Sequence, residues 1–239
     1  MNEVSRGRCL GLIGGLGVGA TIHYYKELVK AHAVHRRVPN LLIIHADVNR
    51  VLNDAAAGNT VHLAEYLSQL LHRLSHAGAQ VAAIPAVTPH ICASHLVKLA
   101  PIPLVNLIDE IVREIQAMRL SRVALFGTRF TIETKMFGQL TGVEVVMPKA
   151  DEIAAIHEAY LEMVDAGSGS EQHHQRLSRI AHTLCRRERV EAIVLAGTEL
   201  SLLFNEANTD FPHIDAARIH LRAIMRHLLA EPVLDNQEN

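Results

Sequence analysis

Tryptophan is absent from this chain, and phenylalanine and tyrosine together supply only 4% of its 239 residues. Hydrophobic residues nevertheless make up 49%, so a sizeable core is available and it is aliphatic. The length allows one large domain or two small ones, at roughly 100–200 residues per domain. An excess of charge of either sign is also missing: 23 Lys and Arg face 25 Asp and Glu, a formal net charge of −2. That balance excludes the strongly basic face of a nucleic-acid binder. No apolar run approaches the ~18 residues of a membrane span, so no membrane partner is expected. Cysteine is scarce. Cys9, Cys92 and Cys185 form an odd, scattered set, which predicts no disulfide framework and fits a reducing, cytoplasmic setting. Met1 to Arg8 is polar and the apolar stretch after it is broken by glycines, which argues against a signal peptide.

Short apolar runs alternate with helical spacing. Strands are predicted at Cys9–Ile13, Leu41–Ala46, Val81–Ile84, Val123–Phe126, Val143–Met147 and Ala192–Leu195, with a short extended piece at Pro101–Val105. Helices are predicted over Ala20–His35, with Ile22, Tyr25, Leu28 and Val29 as its apolar stripe, and over Val61–Ala77, Ile91–Leu99, Asp109–Arg119, Thr131–Leu140, Asp151–Ala166, Gln172–Glu188 and Asp215–Leu229, followed by a polar tail. Such alternation predicts parallel sheets with helices on both faces. Ala166–Ser170 falls between two helices and reads as a loop; the boundary between halves reads more naturally near Asn106–Asp109. The halves echo each other. Each opens with a strand ending in glycine, at Gly14 and Gly127, and each later offers a strand followed by threonine, at Thr88 and Thr198. Ligands in open α/β sheets bind at the C-terminal ends of strands, so two such halves predict a cleft between them.

Gly14-Gly15-Leu16-Gly17-Val18-Gly19-Ala20-Thr21 joins the first strand to the first helix. Glycines let backbone N–H groups come close to a ligand, and a helix start favours an anion. Three readings stay open on the loop alone. Gly15-x-Gly17-x-x-Ala20 fits a dinucleotide fingerprint, with Asp47 placed as a ribose-binding acid. A small carboxylate can use the same loop, and so can tight packing with no ligand at all.

The longer strings go further. The glycine loop, Asn40–Asp47, Val123-Ala124-Leu125-Phe126-Gly127-Thr128-Arg129-Phe130-Thr131, Ala196-Gly197-Thr198-Glu199-Leu200 and Ile214–His220 resemble, in order and over about the whole chain, the motifs of the aspartate/glutamate racemase superfamily, nearest to its broad-specificity aspartate-racemase branch. The resemblance implies two similar α/β domains with pseudo-twofold symmetry: 1–108 with 214–239, whose last helix returns to the first domain, and 109–213. It implies a cofactor-independent enzyme, a homodimer, and a small amino acid or dicarboxylate bound in the cleft. Thr88, Thr128, Thr131 and Thr198 would hold the substrate, Gly15 and Leu16 would wall it, and Asp47 and Glu199 would stand beside it. Helix capping is the competing role for each threonine.

The departures are at the reacting positions. The family pattern Pro-Cys-Asn-Thr is here Pro85-Ala86-Val87-Thr88, and Gly-Cys-Thr-Glu is here Ala196-Gly197-Thr198-Glu199. Racemisation without a cofactor needs one group to take the α-proton and another to return one on the opposite face. Thiols suit this because their pKa is tunable; Ala86 and Gly197 have no proton to move. None of the three cysteines falls in a half-site, and each reads as a small buried hydrophobe. His90 and Glu199 are the candidate catalytic groups, with His45 near the second strand's end. Of the 16 histidines, His72 with His76 and His173 with His174 invite a metal reading, but no acidic ligand pattern joins them, and no metal is expected. The functional expectation is therefore an isomerase-like enzyme with chemistry other than the two-thiol kind, a one-base isomerisation or a lyase-like step. The alternatives are a catalytically silent ligand-binding relative and, further off, an NAD(P)-binding oxidoreductase.

Overall fold

The computed structural model describes residues 7–229; most of the polar Met1–Arg8 stretch and the tail after Leu229 lie outside the described residues. The α/β architecture is as expected. Strands β1 (Leu10–Gly14), β2 (Leu41–His45), β3 (Val81–Ala83) and β4 (Leu104–Val105) form one parallel sheet in the order β2-β1-β3-β4. Strands β5 (Arg122–Phe126), β6 (Glu144–Val146), β7 (Ala192–Leu195) and β8 (His213–Asp215) form a second parallel sheet in the matching order β6-β5-β7-β8. The helices are α1 (Val18–Val34), α2 (Val48–Ala56), α3 (Thr60–His76), α4 (Ala93–Leu99), α5 (Leu107–Ala117), α6 (Arg129–Glu133), α7 (Ala150–Ala166), α8 (Glu171–Glu188) and α9 (Ala216–Leu229). Each third strand runs into a 3-10 turn that opens on threonine, Thr88–Cys92 after β3 and Thr198–Leu202 after β7. None of the described helices is long and apolar enough to cross a membrane.

The first sheet is covered on both faces, as parallel sheets require. Side chains alternate along a strand, so Leu10, Leu12, Val81 and Ala83 pack with Tyr24 and Leu28 of α1 and Ala217, Leu221 and Ile224 of α9. Ile13, Ala82 and Ile84 face the other way, into a core with Leu63, Leu67 and Leu71 of α3. Helix α9 is also held to α5 by ion pairs: Arg226 reaches Glu110 at 2.6 Å and Arg222 reaches Glu114 at 3.0 Å. Val87, from the loop after β3, belongs to the core of the second sheet, so the two halves interpenetrate at the place where they meet.

Several elements differ from the sequence expectation. The face that α1 buries is Ala20, Tyr24, Leu28 and His32, while Ile22 and Tyr25 are exposed. A helix packed along one i, i+4 line buries a narrower stripe than the apolar residues alone suggest, and α9 lies along that line. Helix α2 and strand β8 were not anticipated: one has nine residues, the other three, too short to show a period. The helix expected over Thr131–Leu140 stops at Glu133. Beyond it Lys135, Met136 and Phe137 take left-handed backbone, with φ of 50°, 54° and 61°, at a cost of roughly 1–2 kcal/mol each. Tertiary contacts hold them there. Met136 is buried, Phe137 stacks near Phe130, and Gln139 donates to the His90 carbonyl at 3.0 Å.

Two buried histidines brace the region between the sheets. His220 of α9 donates from Nε2 to the Val105 carbonyl at 2.9 Å and accepts from the Tyr24 hydroxyl at 3.1 Å. At His90, the Leu107 N–H donates to Nε2 at 3.2 Å, so the proton sits on Nδ1, which donates to the Ala86 carbonyl at 2.9 Å. Burial lowers His90 to about 4 and, with His90 close by, His220 to about 3. Both are neutral in the fold, whereas the unfolded chain protonates them near 6.5. Their contribution is complete above that value and is lost as pH falls through the lowered ones. For His90 the loss amounts to about 3 kcal/mol. Glutamine can keep both hydrogen bonds without titrating. Denaturant unfolding of His90→Gln is therefore expected to fall off less between pH 7 and pH 4 than that of the parent chain; equal pH slopes would refute the neutral, buried assignment.

Candidate functional site

A narrow cavity of about 40 Å³ lies between the halves. The loop after β3 contributes Ala86, Val87 and Thr88, and the turn after β7 contributes Ala196 and Thr198. Thr128 and Thr131 enter from the start of α6, and Tyr160 from α7. The remaining wall is apolar: Leu16 from the glycine loop, and Val48, Val51 and Leu52 from α2.

The two half-sites differ. Ala86 presents a methyl group, with His90 behind it rather than in the cavity; both His90 ring nitrogens are taken by backbone, so no lone pair is free for a substrate proton. At Gly197 there is no vacancy. A Cβ built there would collide with the Tyr160 ring, 2.9 Å from Cζ and 3.0 Å from Cδ2. The tyrosine occupies the space that a side chain at 197 would need. Its hydroxyl donates to Glu199 Oε2 at 2.5 Å, and Thr198 donates to the same oxygen at 3.2 Å. Glu199 is buried at 2% exposure, behind Tyr160 and Thr198 rather than on the cavity wall. The other carboxylate oxygen packs against Gly17, where any Cβ would strike it. Burial and the adjacent Glu199 carboxylate push the Tyr160 phenol well above its ordinary pKa, so it stays a hydrogen-bond donor at neutral pH.

The glycine loop serves this packing. Gly17 makes room for Glu199, and Gly19 faces Gly167 and Leu202 of the second half. Gly15, at φ 84°, lies under the His45 ring, which a Cβ would meet at 2.7 Å; it does not line the cavity. Asp47 lies apart from the cavity too. Its carboxylate accepts from the N–H groups of Asn49 and Arg50 and caps α2. Thr128 caps α6 by accepting from the Thr131 N–H at 3.1 Å, and the two hydroxyls sit 2.9 Å apart, so capping and cavity lining coincide in the same residue. Leu16, Thr88, Thr128, Thr131 and Thr198 are brought together; Gly15, Asp47, His90 and Glu199 stand outside the lining.

The residues missed by sequence reasoning are Tyr160 and the α2 trio Val48, Val51 and Leu52. The signal for Tyr160 was indirect: Gly197 removes volume that some other side chain had to fill. Cysteine does not enter the crevice. Cys92 packs in the first core with its thiol on the Pro89 carbonyl, and burial pushes it up to about 12. Burial also raises Cys9 and Cys185, and neither lines the cavity. Among the described residues no group of three or more His, Cys, Asp or Glu is placed to hold a metal ion.

The fold has relatives of known structure. The chain is similar to a candidate Asp/Glu racemase of Yersinia pestis, with 28% identity and a TM-score of 0.79, over 93% of this chain and 100% of that one. It is similar to an aspartate racemase homologue from Pyrococcus horikoshii at 24% identity and a TM-score of 0.76, over 92% and 98% of the two chains. Glutamate racemase of Francisella tularensis, solved in complex with D-glutamate, shares the fold at 14% identity and a TM-score of 0.61, over 92% and 80%. Residues 13–224 match the family described as Asp/Glu/Hydantoin racemase, and by that match, which spans most of its length, the chain belongs to that family.

Proposed function

We propose that this chain is a cofactor-independent, isomerase-like enzyme that binds a small amino acid or related carboxylate between its halves and moves the Cα proton on one face only. The observation that carries this reading is the Tyr160 hydroxyl, 2.5 Å from the buried Glu199 carboxylate and on the cavity wall beside Gly197. A proton-transferring pair stands on that side alone. The phenol oxygen takes the Cα proton as it passes its own proton to Glu199, leaving a carbanion and a neutral carboxylic acid; the return step runs the same path backwards. Tyr160 touches the reacting carbon and Glu199 is its positioning and proton-storing partner. The Thr88, Thr128 and Thr131 hydroxyls hold the substrate carboxylate. With Ala86 opposite, the product of a turnover is mostly substrate with its Cα hydrogen exchanged.

In heavy water, deuterium is expected at Cα of one enantiomer faster than the other enantiomer accumulates. Tyr160→Phe should slow that exchange by ~10²–10⁴-fold, the usual worth of a positioned acid or base, while ligand-induced thermal shifts persist. A second reading is favoured by Ala86 and by the raised phenol pKa: a ligand-binding protein without turnover. It predicts thermal shifts and no deuterium in any amino acid of a broad panel, and that outcome would remove the enzymatic proposal.

The steric relation gives a prediction independent of activity. Gly197→Ala must displace the Tyr160 ring and is expected to lower the unfolding free energy by about 1–3 kcal/mol, the range for overpacking. In Gly197→Ala with Tyr160→Leu most of that loss should be recovered, as measured by urea denaturation. Additive losses in the double variant would contradict the overlap.

A further inference from the structure

The apolar wall of the cavity includes Leu16, Val48, Val51, Leu52 and Val87. No Lys, Arg or His is among the described residues that line the cavity. The polar lining consists of the hydroxyls of Thr88, Thr128, Thr131 and Thr198 and the phenol of Tyr160. The Arg50 guanidinium of α2 lies over the Tyr66 ring at 4.1 Å. One carboxylate can therefore be met by hydroxyls, and a second, carried on a side chain, would be pressed against isopropyl and isobutyl groups. Val51 is buried while Val48 and Leu52 are partly exposed, so a carboxylate set against them loses part of its hydration with no cation in the lining to replace it.

From this wall we infer that the substrate is an amino acid with a small uncharged, apolar side chain, such as alanine or 2-aminobutyrate, and that Val48, Val51 and Leu52 of α2 set this preference against aspartate and glutamate. The inference rests on the proposed location of the site between the halves, not on the proton transfer. Leu52 is the residue to alter, because it is 49% exposed and its replacement leaves the core intact. An arginine there can run its stem along α2 and present its guanidinium at the cavity mouth.

The test is calorimetric titration of both enantiomers of 2-aminobutyrate and of aspartate into the parent chain and into Leu52→Arg, with the circular dichroism melt checked for each. The parent is expected to bind 2-aminobutyrate at least about tenfold more tightly than aspartate, the low end of the discrimination an apolar pocket supplies. Leu52→Arg should reverse the order, aspartate gaining at least about tenfold. Tighter binding of aspartate by the parent, an unchanged ratio in a folded Leu52→Arg, or saturable binding of neither ligand each overturns the inference. Binding with the expected preference but no deuterium at Cα upholds it and removes only the enzymatic reading.

Discussion

The tyrosine ring lying over a glycine, with its hydroxyl on a buried carboxylate, is the contact around which the crevice is arranged. Tyr160 needs the missing side chain of Gly197 for its ring. Glu199 needs the missing side chain of Gly17 for its second oxygen, and the Tyr160 and Thr198 hydroxyls for its first. A buried carboxyl group without such hydrogen-bond partners is costly. The glycine loop, the turn after β7 and helix α7 are thus tied to one side chain. Any one of these five residues changed to an ordinary larger or apolar one would leave the others strained or unpaired.

This arrangement gives the two half-sites different chemistry on the same scaffold. The sheets share strand order, and their 3-10 turns stand at matching places. On one side the turn carries a methyl group backed by a histidine whose two nitrogens are saturated by backbone. On the other a phenol and a carboxylate share a short hydrogen bond. In a family named for racemisation, an asymmetric pair of faces fits proton exchange at one face better than inversion through two. The apolar contribution of α2 adds a second asymmetry to a lining that holds threonines and a phenol but no Lys, Arg or His.

Much of the fold was legible because its elements are long and periodic. Helices α3, α7 and α8 and the strands around Val123 and Ala192 lie within two or three residues of where spacing puts them. Elements too short to repeat were not legible: α2 with nine residues, β8 with three, and α6, which ends early in favour of a left-handed turn held by Met136 and Gln139. The threonines of the site were found because they close family-like motifs at strand ends. His90 drew attention for its position two residues after Thr88, yet hydrogen bonds to Ala86 and Leu107, seventeen residues apart for the latter, decided its role.

The chain's residues alone determined the α/β class, the family motifs and the loss of both thiols, since periodicity, glycine spacing and residue identity are local properties. Which side chain fills the space of a lost one is not local. Tyr160 lies 37 positions before Gly197, on a helix whose spacing says nothing about strand β7, and only the packing of α7 across the end of the second sheet brings the ring to the glycine. The same holds for α2, whose valines and leucine line the cavity only because the tertiary structure sets them beside the threonines at the strand ends.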